Sequence, residues 1–281
     1  MIPLIPILTT LAIAAAACFL FWRREALRGT TLTHAWWWVL LSLGTILFGE
    51  LLLWLTFTDE QIAIWSPIVQ LISATSTFCP MMAVLGARRP GHHAWQFVVA
   101  TMWIMLALPA WEALFLGRPE AMDVGTVRGW FLWLMIAVNL ITWLPTRFWM
   151  TSVLVMLGQL LMLEQFLPGL PGDNARGTSV MFATFFFATA VARTCSGFPR
   201  RRIGRSEMDQ RWIQFRDMFG TMWALRVIER INAAAAMYRW PLSLTWTGFY
   251  FHDLEDDWKT LSAEDQKELE QTMENLLRRF M

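Results

Sequence analysis

Lysine is almost missing from this chain: there are two, Lys259 and Lys267, and neither lies in an apolar stretch. Covalent retinal needs a Schiff-base lysine within a span, so that class of seven-helix protein is disfavoured. Cysteine is also scarce. Cys18, Cys79 and Cys195 sit within or just after apolar runs, with no C-x-x-C spacing and no even-numbered framework, so neither a disulfide set nor a zinc site is expected. Histidine is absent from the interior of the apolar runs. His34, His92 and His93 fall in linkers and His252 in the C-terminal segment, which disfavours bis-histidine haem. The adjacent pair His92-His93 has no Cys, Asp or Glu close in sequence and reads as an interfacial pair, so no metal and no cofactor is expected.

Catalytic signatures are missing too. No Walker A loop, G-x-S-x-G or H-E-x-x-H occurs, and no acidic-pair lipid-transferase pattern. The acidic run at 253–257 lacks the Gly and Glu spacing of a calcium loop. The part after the apolar runs is too short for a kinase or cyclase domain. The balance leans away from an enzyme, and nothing points to nucleic acid.

What the chain does hold is apolar bulk. Of 281 residues, 56% are hydrophobic, with 18 Trp and 20 Phe against 2 Tyr, far from the soluble norm. Seven stretches are near the roughly 17 to 25 residues a helix needs to cross the hydrocarbon core: 2–22, 35–57, 62–86, 94–116, 129–144, 148–167 and 178–192. Their continuous character lacks the alternation of a barrel strand, and only helices or closed barrels satisfy the backbone in lipid. The fold class expected is therefore an all-α integral membrane protein. It is a seven-helix bundle over 1–193, a basic juxtamembrane linker at 194–206, and a small helical or α+β tail domain at 207–281.

Charge orients it. Linkers alternate between arginine-rich (Arg23, Arg24, Arg28; Arg88, Arg89; Arg147; Arg193, Arg200, Arg201, Arg202, Arg205) and acid-leaning (Asp59, Glu60; Glu120, Asp123; Asp173). The positive-inside rule then places the N-terminus outside and the tail in the cytoplasm, in a cell (inner) membrane. The run LAIAAAAC at 11–18 looks like a lipoprotein cleavage box, yet no basic residue precedes it and Arg23 and Arg24 follow it. It reads as a retained signal anchor. Trp36, Trp37, Trp38, Trp95, Trp130 and Trp149 fall where spans meet the interface and read as aromatic anchors.

Within the spans, an ionisable residue costs roughly 2.5 kcal/mol or more to insert and marks a pathway, a proton site or a partner. Glu50 lies seven residues from the outer end of its stretch, on the order of 10 Å deep at ~1.5 Å per residue. It reads either as a buried hydrogen-bond anchor or as a functional acid. Glu112 and Glu164 sit within a turn of the interface and read as reaching the headgroups. With Gln70, Asn139 and Gln159, Glu50 and Glu112 define a candidate outward-facing polar cavity. Small and polar residues such as Ser73, Thr75, Ser76, Thr77, Thr184, Ala188 and Ala192 read as interhelical glue. Pro67, Pro80 and Pro109 are expected to kink their helices. Span two opens His34-Ala35-Trp36 and span four His93-Ala94-Trp95, each with a late Glu, and Phe148-Trp149 with Glu164 echoes them. A hairpin repeat is one reading and shared interfacial chemistry the other.

The tail reads as one long amphipathic helix ending near Trp240-Pro241, a weak extended segment from Leu242 to Phe251, and a final helix capped by Ser262 and Asp265. Trp212, Phe215, Phe219, Trp223, Leu276 and Phe280 form its candidate interaction face. That face can pack on the last helix, lie at the lipid interface beside Arg200, Arg201, Arg202 and Arg205, or meet another subunit. The leading expectation is a non-catalytic subunit, scaffold or sensor of a membrane assembly, with a protein partner or a second copy bound through the tail. A small transporter or ion pathway around Glu50 is the alternative, and an intramembrane enzyme the third.

Overall fold

The computed structural model describes residues 4–27, 30–88, 91–170, 176–197, 206–252, 258 and 261–280. It is built from eleven α-helices and one hairpin among the described residues: α1 (Leu4–Trp22), α2 (Thr33–Thr56), α3 (Asp59–Ser76), α4 (Cys79–Leu85), α5 (His92–Leu106), α6 (Leu108–Leu116), α7 (Thr126–Trp143), α8 (Trp149–Leu163), α9 (Arg176–Ser196), α10 (Glu207–Tyr238), β1 (Leu242–Thr245), β2 (Gly248–Phe251) and α11 (Ala263–Leu277). Six spans are long and apolar enough to cross a membrane, or seven if the bent pair α5 and α6 counts as one. The chain is a helical membrane protein.

Proline decides where the spans break. Pro67 rides inside an unbroken α3, whereas Pro80 and Pro109 each sit at the second position of a new helix, where the missing N–H has no intrahelical partner to lose. Ahead of Pro109 the backbone leaves the helical region at Ala107, and α5 and α6 meet at 61°. Between α3 and α4 the break at Thr77 and Phe78 leaves the path close enough to straight that 59–85 runs as one span of 27 residues.

That third span is the centre of the bundle. It is 72% buried, against 33% or less for the other five unbroken spans, because it packs on α2, α6 and α8. Its inward face can therefore carry Ser66, Gln70, Ser73, Thr75 and Ser76, all buried. Around it, α9 lies between α1 and α8. Gly158 of α8 lets the α9 backbone approach: a Cβ there would stand 2.8 Å from the Phe187 ring and 3.2 Å from the Ala183 carbonyl.

The bundle has two distinct ends. At one gather the C-terminal ends of α1, α4, α7 and α9 and the starts of α2, α5 and α8, with Arg23, Arg24, Arg88, Arg147 and Arg193. At the other lie Asp59, Glu60, Glu120 and Asp123, together with Arg118 and Arg128. Arg28, Arg89, Asp173 and the linker arginines Arg200, Arg201, Arg202 and Arg205 lie outside the described residues, as does the acidic run at 253–257.

The tail docks on the arginine-rich end. Its first helix opens on a reciprocal cap: Ser206 Oγ accepts from the Asp209 amide at 3.1 Å and the Asp209 carboxylate accepts from the Ser206 amide at 3.2 Å. The extended segment expected from sequence is an antiparallel hairpin with Leu242 opposite Phe251 and Thr245 opposite Gly248. It lies along α10, held by the Asn232 side chain, which exchanges two hydrogen bonds with the main chain of Leu244, and by the Phe249 amide donating to Asp209. Ser262 caps α11 through the Asp265 amide, as its spacing predicts, and the Trp240 indole donates to the Asp265 carboxylate.

Candidate functional site

The last turns of helices carry carbonyls free to accept further donors, and the tail supplies side-chain donors to several of them. The Trp223 indole donates to the Val84 carbonyl at 2.9 Å in the last turn of α4. Thr221 donates to the Thr142 carbonyl at 2.9 Å in the last turn of α7, and the Trp246 indole to the Pro145 carbonyl at 3.0 Å just beyond it. In the return direction the Thr31 hydroxyl, in the α1–α2 linker, stands within 2.9 Å of the Phe280 carbonyl and 2.8 Å of the Ala87 carbonyl, and the Thr31 amide donates to Phe280. One threonine thus ties the α1–α2 linker, the end of the third span and the last helix together.

An ion pair adds charge to this seam. Asp217 of α10 is buried, grasped at one carboxylate oxygen by Arg216 at 2.8 and 3.1 Å, and reached at the other by Arg147 of the α7–α8 connector at 3.7 Å. A buried carboxylate between two guanidiniums avoids the cost of an unpaired charge. Arg147, read from sequence as a topology marker, is also a docking residue.

Midway along α10, Gly220 has φ 76° and ψ −176°, so the long helix expected from sequence is two helical segments joined at a kink. Only glycine adopts that backbone without strain. A Cβ there would stand 2.8 Å from Thr142 Cγ2 and 3.0 Å from the Thr142 carbonyl, so the kink also lets α10 approach the bundle closely.

The candidate interaction face is turned inward. Phe280 meets the rings of Phe215, Phe219 and Trp223 edge-on at 5.0, 4.9 and 5.0 Å, and Trp212 stacks on Phe215. All five are buried, and Leu276 is half-buried beside them. The exposed apolar residues of the tail are different ones: Met222, Leu225, Met237, Tyr238 and Tyr250.

The five residues of the candidate polar cavity separate into two buried clusters and two outliers. Gln70 donates to the Met162 carbonyl at 2.8 Å and accepts from Gln165 at 3.0 Å. Asn139 donates to Gln159 at 3.3 Å, and Gln159 to the Thr77 hydroxyl at 3.1 Å. Glu50 is half-buried on α2. Glu112 is exposed and borders an apolar depression with Ile104, Trp111 and Phe115. A cavity of about 560 Å³ does open at the end away from the tail, lined by Pro67, Glu120, Asp123, Thr126, Gln165 and Pro168 among others. Gln165 is its link to the core, through Gln70.

Sequence order hid one further grouping. His34, at the start of α2, and His92 and His93, at the start of α5, come together with ring centroids 4.0 to 5.3 Å apart. The echo between the two His-Ala-Trp segments has a structural counterpart: the Trp36 indole donates to the Leu20 carbonyl of α1 and the Trp95 indole to the Met82 carbonyl of α4. Each tryptophan clamps its helix to the end of the preceding one. Trp37, Trp130 and Trp149 are exposed in the manner of an interfacial belt.

No known protein family matches the chain, and neither a curated protein nor a solved structure is similar enough to supply a fold or a function by comparison.

Proposed function

We propose that this chain is a non-catalytic multi-pass membrane protein that serves as a subunit, scaffold or sensor of a membrane assembly. Its N-terminus lies outside and its tail in the cytoplasm, in a cell (inner) membrane. The observation carrying this reading is the docked tail: four of its side chains or main-chain groups bond to the ends of α4 and α7 and to the α1–α2 linker. A tail held this way moves with the spans, so a shift among helices reaches the surface that carries Tyr238, Tyr250 and Met237. The asymmetry of arginine, with Arg118 and Arg128 countered by Glu120 and Asp123 at the far end, supports the orientation.

Two experiments test it. In intact cells, Tyr250→Cys should react only with a membrane-permeant maleimide and Asp123→Cys with an impermeant one; the reverse pattern overturns the orientation. For the assembly role, native mass analysis of the protein from its own membrane in mild detergent should show a mass above that of the chain. The double substitution Tyr238→Asp with Tyr250→Asp should reduce it to the bare chain while helix content holds. A wild type that runs alone as a monomer sinks the role.

A second reading, a small solute or ion pathway, draws on the far-end cavity and its amide link from Gln165 to Gln70. Reconstituted vesicles would show a flux lost on Gln70→Leu and Glu50→Gln; equal flux in all three discards it.

A further inference from the structure

We infer that His34, His92 and His93 form a binding site for a borderline divalent transition cation, of which Zn2+ is the representative. Three of the four histidines in the chain meet at one point, although 58 residues separate His34 from His92. One ring nitrogen from each lies within 4.8 Å of the other two. In a tetrahedral site with Zn–N bonds of about 2.0–2.1 Å, ligand nitrogens stand about 3.3 Å apart, so rotation of the rings about their side-chain torsions brings them into range. Imidazole is the ligand type that suits this class of cation, and no carboxylate belongs to the group, which argues against calcium or magnesium. Three histidines leave a fourth position for water or another donor.

A chance encounter of surface rings would leave their supports loose. Here both backbones are fixed one helical turn further on. Trp38, four residues after His34, donates its indole N–H to Gln96, four residues after His92, at 2.8 Å. Gln96 in turn donates to the His92 carbonyl at 2.8 Å. Residues four apart share a helix face, so this bond sets the register of α2 against α5 at the level where the histidines project. The start of α5 is pinned a second time by Trp95, whose ring lies over Gly86 and whose indole N–H donates to Met82 at 2.8 Å. On the other side, three residues before His34, stands Thr31, which holds Ala87 and Phe280. A metal here would clamp α2 to α5 beside the point where the tail is tied down.

The site stands apart from the assembly reading and is tested by metal alone. Full-length protein, purified through a tag free of histidine and stripped with a chelator, is dialysed against Zn2+ and titrated with Co2+ as a spectroscopic probe. One equivalent of Zn2+ per chain and the visible bands of tetrahedral or five-coordinate Co2+ are expected. His93 is exposed, so His93→Gln should leave the fold intact while weakening binding by about 100-fold, and His34→Gln should do the same. Gln96→Leu, which removes the register bond from Trp38 and the bond to the His92 carbonyl but no ligand, should weaken it by about 10-fold. His252→Gln, in the tail, should leave it unchanged. Zn2+ retention no greater than that of a variant with all three histidines replaced by glutamine overturns the site, and so does binding that His34→Gln and His93→Gln leave untouched.

Discussion

The two ends of the bundle are built by opposite means. At the tail end, indole and hydroxyl donors reach carbonyls at the ends of α4 and α7, an ion pair is buried at Asp217, and Phe280 closes an aromatic column. The far end keeps an open cavity bordered by the exposed Glu120 and Asp123 region, where the Trp133 indole donates to the Pro168 carbonyl at 3.3 Å. Buried donors with fixed acceptors hold shape, whereas solvated loops hold little. The difference says that the tail end is the mechanical one.

The largest test of that contrast is Gly220→Ala. The residue would have to adopt a glycine-only backbone at a cost of order 1–3 kcal/mol and also press its methyl into Thr142. Release of the tail is expected, read as rapid proteolysis after Arg211 or Arg226 and a fall in melting temperature. A tail that stays protected would break the contrast outright. Next in size, Trp223→Phe keeps a buried ring and removes one donor from Val84, so it should cost about 1–2 kcal/mol. Urea titration of tail release checks it.

Within the membrane the same chemistry is worth less. Gln159→Leu removes the bridge between Asn139 and Thr77, and interhelical hydrogen bonds between spans average about 0.6 kcal/mol with a ceiling near 1.7. A loss of about 1 kcal/mol in detergent unfolding is expected. A loss beyond 3 kcal/mol would move the mechanical centre from the tail into α3, α7 and α8.

Much of this was legible from residue order. Apolar length gives the spans, Ser262 with Asp265 gives the start of α11, and the spacing from Trp212 to Trp223 gives the buried stripe of α10. What escaped depends on contacts between distant segments. Nothing in residue order marks Gly220 until Thr142 is placed against it, or gives Asp217 a distant partner until Arg147 arrives from the α7–α8 connector. Which polar side chains meet is hidden for a similar reason: amides seek whichever carbonyl faces them, so Gln70 pairs with Met162 while Asn139 pairs with Gln159. The meeting of the three histidines could not be read from residue order, since His34 comes from another helix than His92 and His93.

The smallest prediction probes the loose end. Asp123 accepts the Gly125 amide at 2.8 Å in an exposed turn between the 119–121 segment and α7. Water replaces such an acceptor at little cost, so Asp123→Ala should shift stability by no more than about 0.5 kcal/mol. The same substitution removes a carboxylate from the cavity rim, so any solute or cation held there would respond even while the melting temperature stays put. A melting shift as large as that of Trp223→Phe would mean that the far-end loop braces α3 against α7 as firmly as the tail braces α4. The two ends would then be alike, and the tail would be no better placed than the far-end loop to follow motion of the spans.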